Sequence, residues 1–243
     1  MNSAVPISET FVSLQGEGAL TGMPSWFVRL SGCNLRCRWC DTPYASWSPE
    51  GEQRTIEALV EEALASGVRH AVVTGGEPLI FPQCPELCAR LRERGLHVTI
   101  ETAGTVDSPG GTPAECDLLS LSPKLANSTP RSDPRDPLGV WTDRHEARRL
   151  NPAALRALLD RAADAQCKFV VTNEDDLAEI DAILREINAD RARLRPDQVF
   201  LMPEGTRVPD PAKVAWVVRL CLERGWRYAH RLHIELFGDT KGT

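Results

Sequence analysis

Six short apolar runs recur along the chain: Trp26–Leu30, His70–Thr74, His97–Thr102, Leu118–Ser122, Lys168–Val171 and Val199–Met202. Each has the brevity and apolar content of a parallel strand covered on both faces. Between them the apolar spacing becomes helical. Thr55 is placed to cap a helix through Ala65, with Ile56, Leu59, Val60, Ala63 and Leu64 on one face. Pro85–Arg94 is a second helix, stopped by Gly95. Asn151 and Pro152 open a third with Leu155, Leu158 and Leu159 as its stripe, and Asp175–Ile187 and Pro211–Arg224 follow, the last closed by Gly225. This alternation predicts an α/β fold with a parallel sheet. A closed eight-stranded barrel takes about 250 residues. Six strands and long loops in 243 residues therefore predict one domain, residues 1–243, built as an open, partial parallel βα barrel.

The remaining segments are less regular. Ser8–Leu14 reads as an extra strand leading into Gln15-Gly16-Glu17-Gly18. Arg231–Phe237 alternates, with Leu232, Ile234 and Leu236 on one side and His233, Glu235 and Phe237 on the other. Thr105–Arg149 has few apolar residues outside Leu118–Ser122 and reads as a long excursion carrying a functional or flexible loop.

Composition removes several function classes. The net charge of −6, from 28 Lys and Arg against 34 Asp and Glu, argues against a non-specific nucleic-acid binder, though not against a local basic pocket for a small anion. No run approaches the roughly 18 apolar residues of a membrane span. Met1–Pro6 lacks the basic-then-apolar pattern of a secretory signal. The expected location is the cytoplasm, where eight cysteines stay reduced and clustered thiols bind metal or do chemistry.

Three of those cysteines fall in one short loop directly after the first apolar run, Cys33-Asn34-Leu35-Arg36-Cys37-Arg38-Trp39-Cys40. Loops at that end of a barrel build sites. Structural zinc takes four protein ligands. Asp41 or a distant His would have to supply the fourth, and a zinc-stabilised, non-catalytic binding module is one reading. An iron–sulfur cube accepts three thiolates and leaves one iron open to a small molecule. Cys84, Cys88, Cys116, Cys167 and Cys221 read as ordinary small apolar residues.

This spacing, with Trp39 before the last cysteine, resembles the radical S-adenosylmethionine superfamily. The resemblance implies a partial barrel and a [4Fe-4S] cluster on Cys33, Cys37 and Cys40. Its open iron chelates the methionine part of S-adenosylmethionine, whose reductive cleavage gives a 5′-deoxyadenosyl radical. Thr74-Gly75-Gly76-Glu77-Pro78 agrees: glycines admit close backbone approach, and Glu77 can accept from an ammonium, the methionine amino group in that superfamily. Relatives that make a glycyl radical on a protein partner share the cysteine spacing but not the Leu14-Gln15-Gly16-Glu17-Gly18 segment.

Further motifs narrow the resemblance. Phe11–Gly18, Arg29, Cys40-Asp41-Thr42, Glu101–Thr105, Ser122-Pro123-Lys124 and Leu232-His233-Ile234 together resemble the 7-carboxy-7-deazaguanine synthase family, nearly end to end. That family is identified with a carbon–nitrogen lyase reaction in 7-deazapurine (queuosine precursor) biosynthesis. It contracts 6-carboxy-5,6,7,8-tetrahydropterin to 7-carboxy-7-deazaguanine with loss of ammonia. The resemblance implies a homodimer, an electron donor such as a flavodoxin or ferredoxin, and short terminal extensions that close the substrate site. It also implies Mg2+, held by Thr42, whose hydroxyl suits a hard cation. Cofactor contacts fall on Trp39, Cys40, Asp41, Gly75, Gly76, Glu77, Ser122, Pro123, Lys124, Met202, Pro203, Glu204 and Gly205. Many relatives carry Gln at Met202, leaving only a backbone role there, and Ala103 replaces a common Asn. Substrate contacts fall on Leu14, Gln15, Gly16, Glu17, Arg29, Thr74, His233 and the terminal Thr243. Arg29, in an apolar strand, needs a partner: a substrate carboxylate, or an internal acid such as Glu17 or Glu101. His233 reads equally as a satisfied structural histidine.

Overall fold

The computed structural model describes residues 3–243. One nine-stranded sheet organises them: β1 (Ala4–Leu14), β2 (Pro24–Leu30), β3 (Glu52–Thr55), β4 (His70–Gly75), β5 (His97–Thr102), β6 (Leu118–Leu121), β7 (Ala165–Val171), β8 (Val199–Pro203) and β9 (Arg227–Tyr228). Their order is β3-β1-β2-β4-β5-β6-β7-β8-β9, so the sheet stays open rather than closing on itself. From β2 through β9 every pairing is parallel, while β1 runs antiparallel to β2 and β3. The six expected strands form the parallel centre.

Helices α1 (Ile56–Ala65), α2 (Cys84–Glu93), α4 (Pro152–Arg161), α5 (Asp176–Ile187) and α6 (Pro211–Arg224) occupy the five expected positions. Local chemistry starts and stops them. Thr55 accepts from Ala58 N, Asn151 from Ala154 N and Asp210 from Ala212 N. Gly225 takes the left-handed conformation that ends α6. Their apolar stripes cover one face of the sheet and form the core with residues such as Leu59, Leu87, Leu155, Ile180 and Val217.

The structure departs from expectation at four elements, one of them β9, a two-residue edge strand too short to leave a pattern. β3 (Glu-Gln-Arg-Thr) carries no apolar residue, and as an edge strand it needs none. Within Thr105–Arg149 a further helix, α3 (Val140–Glu146), forms, with His145 wholly buried. The alternating segment at the end of the chain is a helix, α7 (Leu232–Phe237), not an extended strand. Ile234 is buried while Leu236 and Phe237 face outward. A six-residue alternation fits either period once Ile234 alone supplies the buried contact.

A bulge in β1 positions the site. Ile7 pairs with Leu30 but Glu9 pairs with Arg29, so Ser8 is the extra residue. Before it, Val5 and Ile7 pack on the helix side with Val28 and Leu30. After it, the odd residues change face: Glu9 meets Arg29, and Phe11 stacks on Phe27 with ring centroids 4.8 Å apart.

Candidate active site

The uncovered face of the sheet, toward the carboxyl ends of the parallel strands, holds a cavity of about 650 Å3. Cys33, Cys37 and Cys40 line it, as do Gly75 and Gly76 from the end of β4. A β-carbon at Gly76 would run into Gly32 O, Ala45 O and Cys33 Cβ, so only glycine lets β4 turn beneath the cysteine loop. Trp47 Nε1 donates to Cys37 O at 3.0 Å, and Cys40 Sγ lies 3.1 Å from Ser46 Oγ.

Burial, reinforced by the Glu77 charge, pushes the Cys33 thiol up to about 12, and burial pushes Cys37 higher still. Such thiols become ligands when a metal cation replaces their protons. Among the described residues no three His, Cys, Asp or Glu side chains gather as the ligands of one ion. The donor set is three separated thiols facing a common space, which fits a sulfide-bridged iron cluster better than a closed four-ligand zinc site.

The opposite wall is charged. Lys168, from the middle of β7, pairs with Glu17, and Arg231 approaches Glu17 at 3.5 Å and Asp41 at 3.9 Å. Burial alone would raise the Glu17 carboxyl, but Lys168, Arg231 and His233 hold it well below the usual carboxylate range. Gln15 Nε2 donates to Glu101 Oε1 at 3.1 Å. Arg29 Nε meets Glu9 at 2.6 Å, and Tyr44 donates to the same oxygen at 2.8 Å. The partner of Arg29 is therefore Glu9, not Glu17 or Glu101, because the bulge at Ser8 turns Glu9 onto the strand face that Arg29 occupies. Among the described residues the terminal nitrogens of Arg29 have no hydrogen-bond partner, and Arg29 lines the cavity.

Two segments far apart in sequence meet at this wall. Leu232 N donates to Gly16 O at 2.9 Å, and a β-carbon at Gly16 would collide with the His233 ring. Leu14, Thr74, His233 and Thr243 also line the cavity, with Trp39, Asp41, Thr42, Ser122, Lys124 and Met202. Lys124 Nζ donates to Ser122 Oγ at 2.9 Å and sits 5.5 Å from the Trp39 ring.

Five sequence-derived residues lie outside it. Glu77 is fully buried: Thr102 Oγ1 donates to it at 2.6 Å, Ala103 N at 2.8 Å and Leu79 N at 3.0 Å. Its carboxylate thus ties the end of β5 to the end of β4 and is not presented to a ligand's ammonium. Pro123 is buried and does not line the cavity, Glu204 pairs with Lys213, and Pro203 and Gly205 belong to a small neighbouring cleft. Conversely, Lys168, Glu101 and Arg231 supply much of the cavity's charge without having been assigned a site role from sequence. A lone lysine inside the apolar run of β7 carried the same signal as Arg29 in β2.

Comparison with known proteins agrees with this geometry. The Radical SAM superfamily profile matches residues 27–125. A 7-carboxy-7-deazaguanine synthase of Rhodopirellula baltica is 49% identical over 99% of this chain and 90% of its own. One of Halobacterium salinarum is 45% identical over 99% and 93%. The chain belongs to the 7-carboxy-7-deazaguanine synthase family. The crystal structure of QueE from Escherichia coli superposes with a TM-score of 0.66 at 27% identity, covering 95% of both chains. Membership of this radical SAM family implies a [4Fe-4S] cluster and S-adenosylmethionine, and it removes the zinc-module and glycyl-radical-activase readings from favour.

Proposed function

We propose that this chain is itself a 7-carboxy-7-deazaguanine synthase, contracting 6-carboxy-5,6,7,8-tetrahydropterin to 7-carboxy-7-deazaguanine with loss of ammonia. One observation carries the reading: three thiols and a charged wall with free hydrogen-bonding edges share one cavity, in a chain of this family. Cys33, Cys37 and Cys40 would hold the cluster, whose open iron would hold S-adenosylmethionine. When bound, these groups supply the radical that opens the reaction.

The chain's own residues bind and orient. The terminal nitrogens of Arg29, with Nε already occupied by Glu9, suit a substrate carboxylate. Gln15 and Glu101 form a donor–acceptor pair matched to the edge of a pterin. Thr74 and His233 offer a hydroxyl and an imidazole to the same ligand. Glu17 serves through Lys168 and Arg231, which its charge keeps in place. Trp39, Gly75, Gly76, Ser122, Lys124 and Met202 form the cofactor side of the cavity, and Phe11 and Phe27 cover its apolar rim.

The reading extends further. Thr42, with its hydroxyl 3.7 Å from Cys40 Sγ, would take Mg2+. Thr243 would close the substrate side. A homodimer, reduction by a flavodoxin or ferredoxin and a single domain over residues 1–243 complete the proposal. A cytoplasmic location is supported by eight free cysteines, and no helix among the described residues is long and apolar enough to cross a membrane.

Anaerobically reconstituted protein, given reductant, Mg2+, S-adenosylmethionine and the carboxypterin, should yield the mass of the carboxydeazaguanine. Cofactor cleavage without that product would remove the substrate assignment. Cys37→Ala should abolish cluster absorption and turnover together, and an unchanged spectrum would remove the cluster assignment.

A further inference from the structure

The amide N–H groups on either side of Cys37 both end on one buried relay outside the cysteine loop. Arg36 N donates to His145 Nδ1 at 3.1 Å, and Arg38 N donates to Ser128 O at 2.8 Å. His145 Nε2 lies 2.9 Å from Ser128 Oγ, and that hydroxyl donates to Leu125 O at 2.6 Å. His145 and Ser128 are wholly buried.

Only one proton placement satisfies every atom. Nδ1 accepts from Arg36, so the ring proton sits on Nε2 and goes to Ser128, whose own proton goes to Leu125. An imidazolium would set a second N–H against that of Arg36, and burial accordingly lowers the His145 ring to about 4. Charge near the ring divides: the Glu146 carboxylate favours protonation, while Arg149 and Lys124 oppose it.

Two further contacts grip the same loop from the same excursion. Arg135 donates to Arg38 O at 2.8 Å, and the Arg36 guanidinium lies 4.1 Å from the Trp141 ring. Asn127 anchors this clasp to the sheet by donating to Val170 O at 3.0 Å.

We propose that neutral His145, acting with Ser128, is the positioning residue that fixes the Cys37 turn in the form that holds the cluster. It does not line the cavity. The inference rests on the cluster reading of Cys33, Cys37 and Cys40 and adds what holds them. Its substance is an acceptor at the Nδ1 position, not the bulk of a ring: without it the Arg36 N–H is buried and unmatched, and the turn relaxes.

Three variants separate this role from general packing. His145→Phe keeps a planar aromatic ring and removes the acceptor. His145→Asn returns an oxygen near the Nδ1 position. His70→Phe alters an equally buried histidine at the other end of the parallel strands and controls for fold damage. The metal-free proteins are first compared by thermal unfolding. Each is then reconstituted anaerobically, assayed for iron and sulfide per chain, and followed for loss of cluster absorption in air.

His145→Phe should lose its cluster about tenfold faster than wild type, one unmatched buried donor being of that size. His145→Asn should recover most of the difference, and His70→Phe should match wild type. Equal cluster lifetimes for wild type and His145→Phe would overturn the proposal. So would equal acceleration by His70→Phe, or lifetimes in the His145 pair that follow metal-free stability alone. A wild-type chain that takes up no iron or sulfide would instead overturn the cluster reading, and this inference with it.

Discussion

The two ends of the parallel strands treat polar groups in opposite ways. At the amino ends Ser25, His70 and Thr99 form a closed set: His70 Nδ1 lies 2.6 Å from Ser25 Oγ and Nε2 lies 2.8 Å from Thr99 Oγ1. Ser25 passes its own proton to Met23 O, so no hydrogen-bonding capacity is left over. At the carboxyl ends charges are balanced but not closed. Glu17 meets Lys168 and Arg231, Arg29 meets Glu9, yet the terminal nitrogens of Arg29 and the hydroxyl of Thr74 remain unmatched among the described residues. A closed polar set stabilises a fold, whereas an unmatched one beside a cavity recognises something else.

Removing one charge from the open end should have the largest effect on folding. Lys168→Met leaves Glu17 and Glu101 in a poorly solvated wall with one cation fewer. Breaking a buried pair from one side costs roughly 3–5 kcal/mol. Urea unfolding at neutral pH should report a loss on that scale. The double variant Glu17→Gln with Lys168→Met should regain most of it, because the Glu17 charge goes with its main cation while Arg231 keeps Asp41. A single variant as stable as wild type would mean that water already screens this wall.

Acid should act on the closed end. Burial, with the neighbouring His97, lowers the His70 ring from 6.5 to about 4. The unfolded chain therefore binds this proton at higher pH than the folded one. The stabilisation is full above about pH 6.5 and is lost as pH falls toward about 4, a total of roughly 3 kcal/mol. In His70→Asn the slope of unfolding free energy between those pH values should be shallower than in wild type. Parallel slopes would show that His70 is not held neutral.

The same contrast explains what could be read from the chain. The parallel centre and five helices were legible because each buries an apolar face whose period survives in the sequence. β3 was not, because an all-polar edge strand leaves no such trace. α3 was missed because it is held by polar contacts, His145 to Arg36 N and Thr142 to Pro130 O, rather than by an apolar stripe. The cysteine loop was legible as a spacing of side chains, but its clasp acts on backbone N–H groups about a hundred residues earlier, which no pattern of side chains records. Glu9 was missed for a geometric reason: a single-residue bulge reverses which face it occupies. Lys168 was visible as a charge inside a buried strand, but its partners came only with the fold.

The smallest expected effect tests the contrast most directly, since the same substitution can be made at both ends. Thr99→Val takes a donor from His70 Nε2 in the closed set, and about 1 kcal/mol of stability should go with it. Turnover and KM should stay as they are, because nothing at that end reaches the cavity. Thr74→Val, on the neighbouring strand β4, removes a hydroxyl that lines the cavity and has no partner among the described protein groups. Its stability should be unchanged or slightly higher, while KM for the carboxypterin rises severalfold, the scale of one hydrogen bond. The pair is informative because volume and chemistry change identically, so only location differs. If Thr74→Val were the destabilised variant, or Thr99→Val the one with altered KM, the division of the strands into a stabilising end and a recognising end would be wrong.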